Sequence, residues 1–316
     1  MLNSKTNFTR YAWLVLAFNV LVILWGAVVS STGSGAGCGD HWPLCDGEVI
    51  PRDPSLERMI EFSHRATSGV ALLMVFGLAA WAFRLYTAGH RVRRGAVASV
   101  IVIIVESLLG AGLVLFRWTA MDTSAMRVVI QPIHMLNTLI LLGTILLTAW
   151  WASGGQPIAW RAAGERLRWF VLGGLSIWLM SATGSIISLG DLLAIRLGEN
   201  YNALVEVLVR LRLGHPAISI LAGLFLLWLV FLRTNMAPNA SARRWSWAVA
   251  GLVAAQWSMG LLNVLLLVPL WTQLAHLLLA DFMWIAFLLW TFNALAEASV
   301  AQAMPASAVP GAASAD

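Results

Sequence analysis

Eight apolar stretches of about 20 residues follow one another along this 316-residue chain, and that succession limits the fold more than any other feature. At 1.5 Å per residue each stretch is long enough to cross about 30 Å of hydrocarbon. Backbone polar groups inside a bilayer must be satisfied within the chain, so repeated spans of this length are helices. The spans fall at about 11–30, 61–86, 96–116, 128–152, 169–189, 213–233, 246–267 and 272–293. Only 11% of the residues are charged, too few for a water-soluble domain of this size. The first stretch is not a cleavable signal, since it is long and seven more follow. The fold class expected is therefore an all-α integral membrane protein with the lipid bilayer as its solvent.

The net charge of +5 does not point to nucleic acid, because the arginines lie singly or in small groups between spans. With the amino terminus cytoplasmic, twelve of the twenty basic residues fall inside, which favours that orientation. An even number of spans then places both termini in the cytoplasm. Cys38 and Cys45, the only cysteines, both fall in the first outer loop, where an oxidising compartment favours a disulfide over free thiols or metal ligands. No Cys-x-x-Cys-His occurs to attach a haem covalently. Residues 294–316, rich in Ala, Ser and Pro, read as a disordered tail.

The two halves of the chain repeat. Thr32-Gly33-Ser34 recurs as Thr183-Gly184-Ser185, and His64 as His215, both 151 positions later. Glu106, Gly110 and Val114 match Gln256, Gly260 and Val264 at an offset of 150, and His134 matches His276 at 142 across a shorter outer turn. Four landmarks in order predict two tandem four-helix bundles, residues 1–152 and 169–293, joined by a cytoplasmic linker, 153–168. Because each unit holds an even number of spans, a pseudo-two-fold axis would run along the membrane normal.

Four of the six histidines, His64, His134, His215 and His276, occupy equivalent places at the outer starts of the even-numbered spans. Neutral imidazole is a strong iron ligand, and two histidines on neighbouring helices can hold a haem between them. The pairs expected are His64 with His134 and His215 with His276. A closed zinc site would need Cys or carboxylate ligands that the second half lacks. His41 and His90 lie in loops and are assigned no metal.

The halves differ where reactivity would differ. Glu61 stands three residues before His64, about 60° away on one helix face, whereas Arg212 holds the equivalent place in the second half. Arg65, Arg117, Arg127, Arg210 and Arg212 lie on the outer side, and Arg65, Arg127 and Arg212 are the candidate partners of haem propionates. Solvated loop charge is the other reading of each. Glu106 and Asp281 fall within spans, where a carboxyl group is costly unless paired, and read either as a proton path or as protonated packing residues.

These residues resemble a known family. Glu61-Phe62-Ser63-His64-Arg65 resembles the Glu-Phe-x-His-Arg signature of haem A synthases, and Gly37-Cys38 through Asp40-x-Trp42-Pro43-Leu44-Cys45-x-Gly47 resembles their first outer loop. His134-Met135-Leu136-Asn137, Gly260-x-x-Asn263-Val264 and His276 extend the likeness over nearly all of 11–293. Two departures stand out: Glu106 where the family suggests glutamine, and Pro216 after His215 where arginine is common. The resemblance implies oxidation of a ring methyl of haem O to the formyl group of haem A through a hydroxymethyl stage. It implies substrate haem on His64 and His134 with Glu61 catalytic, and a cofactor haem b on His215 and His276, both near the outer face of a plasma or inner membrane. It also implies haem O synthase and cytochrome oxidase assembly proteins as partners, an external electron donor, and a possible homo-oligomer. A non-oxygenating di-haem cytochrome b linked to quinol, or a haem-binding transporter or assembly factor, would use the same histidines. A prenyltransferase is disfavoured, since no Asp-x-x-x-Asp motif occurs.

Overall fold

The structure, a computed structural model, describes residues 2–52, 55–198 and 202–296. The tail expected to be disordered lies almost wholly outside the described residues. Among the described residues the protein is all helix, with eight segments long and apolar enough to cross a membrane. These are α1 (Leu2–Thr32), α2 (Leu56–Leu85), α3 (Arg91–Leu115), α4 (Ala125–Ala152), α5 (Glu165–Leu197), the composite of α6 (Ala203–Arg210) and α7 (Gly214–Phe231), α8 (Ala240–Leu265) and α9 (Leu270–Ala294). The protein is multi-pass. Large apolar side chains such as Leu73, Ile101 and Leu221 face outward, as expected where hydrocarbon replaces water.

Local chemistry fixes the helix ends. Ser55, His90, Ser124, Asn202 and Asn239 cap α2, α3, α4, α6 and α8 by accepting a backbone N–H of the first turn. Every span begins before its apolar stretch does, by ten residues in the sixth. Hydropathy reports contact with lipid, whereas a helix continues for as long as its backbone and caps are satisfied. His64, His134 and His276 consequently lie inside their helices and not at the starts, whereas His215 is the second residue of α7. His64 and His134 are about 12–14 Å along α2 and α4, and His276 about 9 Å along α9. His215 follows a short 3₁₀ turn, Leu211–Leu213, that separates α6 from α7. Pro216 accounts for that break, because its ring clashes with the carbonyl four residues back and it has no N–H to donate.

Around α1 to α4, neighbours pack as α1 on α2, α2 on α3, α3 on α4 and α4 on α1. Later in the chain α5 packs on α7, α7 on α8, α8 on α9 and α9 on α5, while α1, α4, α5 and α9 join the two sets. The main core lies along α4 and α9, where Leu142, Ile145 and Leu146 meet Trp284, Phe287 and Trp290. The indole of Trp284 donates to the Leu139 carbonyl at 2.7 Å, which satisfies a buried N–H inside this apolar contact. At the end bearing the cysteine loop, Ser31 bonds Gln273 at 3.0 Å and Arg196 donates to the Thr32 carbonyl at 2.8 Å.

Candidate functional site: two histidine pairs and a disulfide loop

Each histidine on an even-numbered span lies against a glycine on the preceding span. A methyl group at Gly26, Gly110, Gly184 or Gly260 would stand 3.0, 3.9, 3.1 or 3.4 Å from Cε1 of His64, His134, His215 or His276, respectively. Small residues admit close approach in membrane helices, and these admit an imidazole ring. The rings of His215 and His276 come together with centroids 6.5 Å apart and planes at 87°. Two metal–imidazole bonds of about 2.0–2.1 Å and two half-ring depths of about 1.1 Å sum to about 6.3 Å, so the spacing of the pair is compatible with a shared metal. Among the described residues no three His, Cys, Asp or Glu side chains converge as a metal site. An ion held by protein ligands alone therefore does not match this architecture, whereas a porphyrin brings four ligands of its own.

The surroundings of the rings differ. Nδ1 of His215 lies 3.1 Å from the Thr183 hydroxyl. Nδ1 of His134 lies 3.4 Å from Oε1 of Glu106, within ion-pair range but short of a well-formed hydrogen bond. Like that of His134, the buried Nδ1 atoms of His64 and His276 make no hydrogen bond among the described residues.

Cys38 and Cys45 are joined by a disulfide, closing the loop between α1 and α2. This loop is fastened to α2 through Glu61, which is 3% exposed. One carboxylate oxygen accepts from the Cys38 N–H at 2.8 Å and the other from Arg65 at 2.5 Å. Arg65 also donates to the carbonyls of His41 and Leu44 at 2.6 and 2.7 Å, and Arg58 donates to the Gly37 carbonyl. Gly37 approaches so closely that a Cβ would stand 2.6 Å from the backbone of Glu57, which excludes any larger residue there. At the loop's far side Arg117 pairs with Asp40, and that hydrogen bond holds the Asp40 carboxyl below its ordinary range.

The candidate propionate arginines are placed unequally. Arg127 is buried and donates to the carbonyls of Ala120 and Asp122. Arg212 is half exposed and paired with Asp191 at 2.6 Å. Arg210 pairs with Glu206 one helical turn away. His90 caps α3, and His41 lies near Asp40 and Asp46 in the loop. Asp281 is fully buried, and neither of its oxygens has a hydrogen-bond partner among the described residues. Reading the sequence missed the contacts of Gly26 and Gly184 with the rings, and the Thr183 partner of His215. The recurrence of Thr-Gly-Ser did not carry these contacts, because Gly184 meets His215 whereas its counterpart Gly33 meets Met121.

The COX15-CtaA family model, described as cytochrome oxidase assembly protein, matches residues 9–288. The chain is 46% identical over 292 residues to a protein of Thermus thermophilus named protoheme IX farnesyltransferase, a match covering 90% of this chain and 48% of that one. It is 48% and 50% identical over 97 residues to proteins named heme A synthase from Alkalihalophilus pseudofirmus and Shouchella clausii. Those matches cover 31% of this chain and 33% and 32% of theirs. The chain thus spans about half the length of the Thermus relative and aligns with about a third of the other two. The match over most of its length, together with these relatives, shows that the chain belongs to the COX15-CtaA family, the family of the haem A synthases.

Proposed function

We propose that this protein is a haem A synthase, oxidising a ring methyl of haem O to the formyl group of haem A. Residues 1–152 and 169–293 act as tandem four-helix units, related by a pseudo-two-fold axis along the membrane normal. The first takes the substrate and the second a resident haem b. Residues 153–168 link them on the cytoplasmic side, where both termini lie, and both haem sites are near the outer face of the cell membrane. The observation that carries this reading is the spacing of the His215 and His276 rings, compatible with a single iron, with glycines opposite all four histidines.

When bound, haem iron would supply the redox chemistry: at each of two steps one atom of dioxygen would enter a C–H bond of the ring methyl and the other would leave as water, with two electrons from an external donor and two protons, giving a hydroxymethyl group and then a hydrate that loses water. The protein contributes position and charge. His64 and His134 hold the substrate, His215 and His276 the cofactor, and the glycine slots keep each imidazole upright against its neighbouring helix. Glu61, fixed by Arg65 and Cys38 one turn from His64, offers a carboxylate oxygen as proton acceptor at the first site. Arg212, being half exposed, has the freedom to exchange Asp191 for a propionate. Arg65 and Arg127 would meet propionates only by giving up loop carbonyls. The farnesyltransferase name belongs to a relative about twice as long, and this chain contains no Asp-x-x-x-Asp motif. We therefore assign prenyl transfer to the part of that relative outside the match.

The test is product analysis. Expressed with a source of haem O, the protein should yield the formyl haem, seen by mass spectrometry of extracted haems. Recovery of haem O alone from protein loaded with both haems would favour a di-haem electron carrier or an assembly factor instead.

A further inference from the structure

The two histidines assigned to the substrate haem are supported unequally. Behind His134 stands Glu106 on α3, held from several directions. Its Oε2 accepts from the Asn137 amide at 2.6 Å, and its Oε1 accepts from the Thr138 hydroxyl at 2.5 Å and faces Nδ1 of His134 at 3.4 Å. Asn137 also reaches the Val102 carbonyl, and Thr138 the carbonyl of His134 itself. Hydrogen bonds to two adjacent residues of α4, one turn beyond His134, hold the carboxylate facing the ring. His64 has no such backing: neither Nδ1 makes a hydrogen bond among the described residues, but His134 has a carboxylate within ion-pair range, whereas the His64 ring rests against Gly26.

We propose, on the reading that a haem lies between His64 and His134, that Glu106 is a positioning residue that makes His134 the permanent, strongly donating axial ligand and leaves His64 the exchangeable one. A carboxylate facing Nδ1 selects the tautomer with its proton on Nδ1, which directs the Nε2 lone pair at a metal and raises the basicity of the imidazole. A ring without a carboxylate behind it loses less when it rotates away, and rotation of His64 opens one face of the substrate haem. The second pair lacks the device. Gln256 holds the register of Glu106, since each stands four residues before the glycine that faces the later histidine of its pair. The neutral Gln256 Oε1 and Nδ1 of His276 are both buried without a partner among the described residues.

If Glu106 were merely a packing acid satisfied by Asn137 and Thr138, its amide isostere would leave the haem electronics alone. The measurement is a redox titration and the ferrous iron–histidine stretching band of the full chain in lipid nanodiscs loaded with haem O. His64→Ala should retain the first haem through His134, whereas His134→Ala should lose it. Adding Glu106→Gln to His64→Ala should lower the stretching frequency. On its own, Glu106→Gln should shift the ferrous-to-ferric ratio of the first haem at fixed potential at least tenfold toward ferrous, about 59 mV for one electron, with the second haem unmoved. The converse variant, Gln256→Glu, should shift the second haem toward ferric, and it decides the matter if Glu106→Gln does not insert. Both haems retained with potentials and band unchanged in either variant, or the first haem lost with His64→Ala but kept with His134→Ala, would overturn the proposal. Haem content unaffected by both histidine variants would show that no haem uses this pair, and would remove the underlying reading as well.

Discussion

At Glu61 one carboxylate serves two neighbours, the Cys38 N–H and the Arg65 guanidinium, and sits three residues from an assigned iron ligand. Those bonds are enough to explain its burial, so only a measurement on the reaction separates a structural clamp from a proton acceptor. Glutamine keeps the acceptor for Cys38 and removes the charge. Glu61→Gln should insert and keep the second haem, yet make haem A about 10²-fold or more slowly, the scale of lost acid–base catalysis. Haem O or the hydroxylated intermediate should accumulate. A wild-type rate of haem A formation would leave Glu61 as a clamp only. The ligands make an independent prediction. His215→Ala or His276→Ala should remove the low-spin haem b spectrum even without substrate, while His64→Ala leaves most of it. A spectrum unchanged in both second-pair variants would refute the assignment of the cofactor site.

Among the elements, the disulfide loop is where sequence and structure add most to each other. A closed loop of this length constrains the unfolded chain by about 2–3 kcal/mol at most. Its fastening through Glu61, Arg65 and Arg58 spreads the effect to α2. Cys38→Ser should therefore raise the protease sensitivity of the loop while the eight spans stay inserted. Alkylation of wild-type protein taken directly from membranes should find neither thiol free. Gly184 offers a sharper steric test. A side chain there would meet His215 at 3.1 Å, so Gly184→Leu should displace the ring and lose the second haem without losing the helix. All eight spans were legible as apolar stretches, but the sixth was read as unbroken, and the 3₁₀ turn before α7 was not foreseen. The span ends were not legible, because hydropathy follows lipid contact while caps such as Ser55 and Asn202 set the helix start. Nor could spacing reveal that Glu106 faces His134 or that Glu61 holds Cys38, since those contacts join different elements through tertiary packing.

For the molecule as a whole, α4 and α9 form the inner pair, joined by the Trp284 bond to Leu139, while outward-facing residues elsewhere remain apolar for lipid. Such an arrangement joins two sets of helices, and on the proposed reading it would suit electron exchange between the two haems. The four histidines were legible as a repeat, and their partners across the helices became visible only once the rings were placed. A density map of the protein purified in lipid after expression with haem O tests the account most directly. It should contain two porphyrins, one between His64 and His134 and one between His215 and His276. A map with no porphyrin between either pair, or with haem ligated by other side chains, would contradict it.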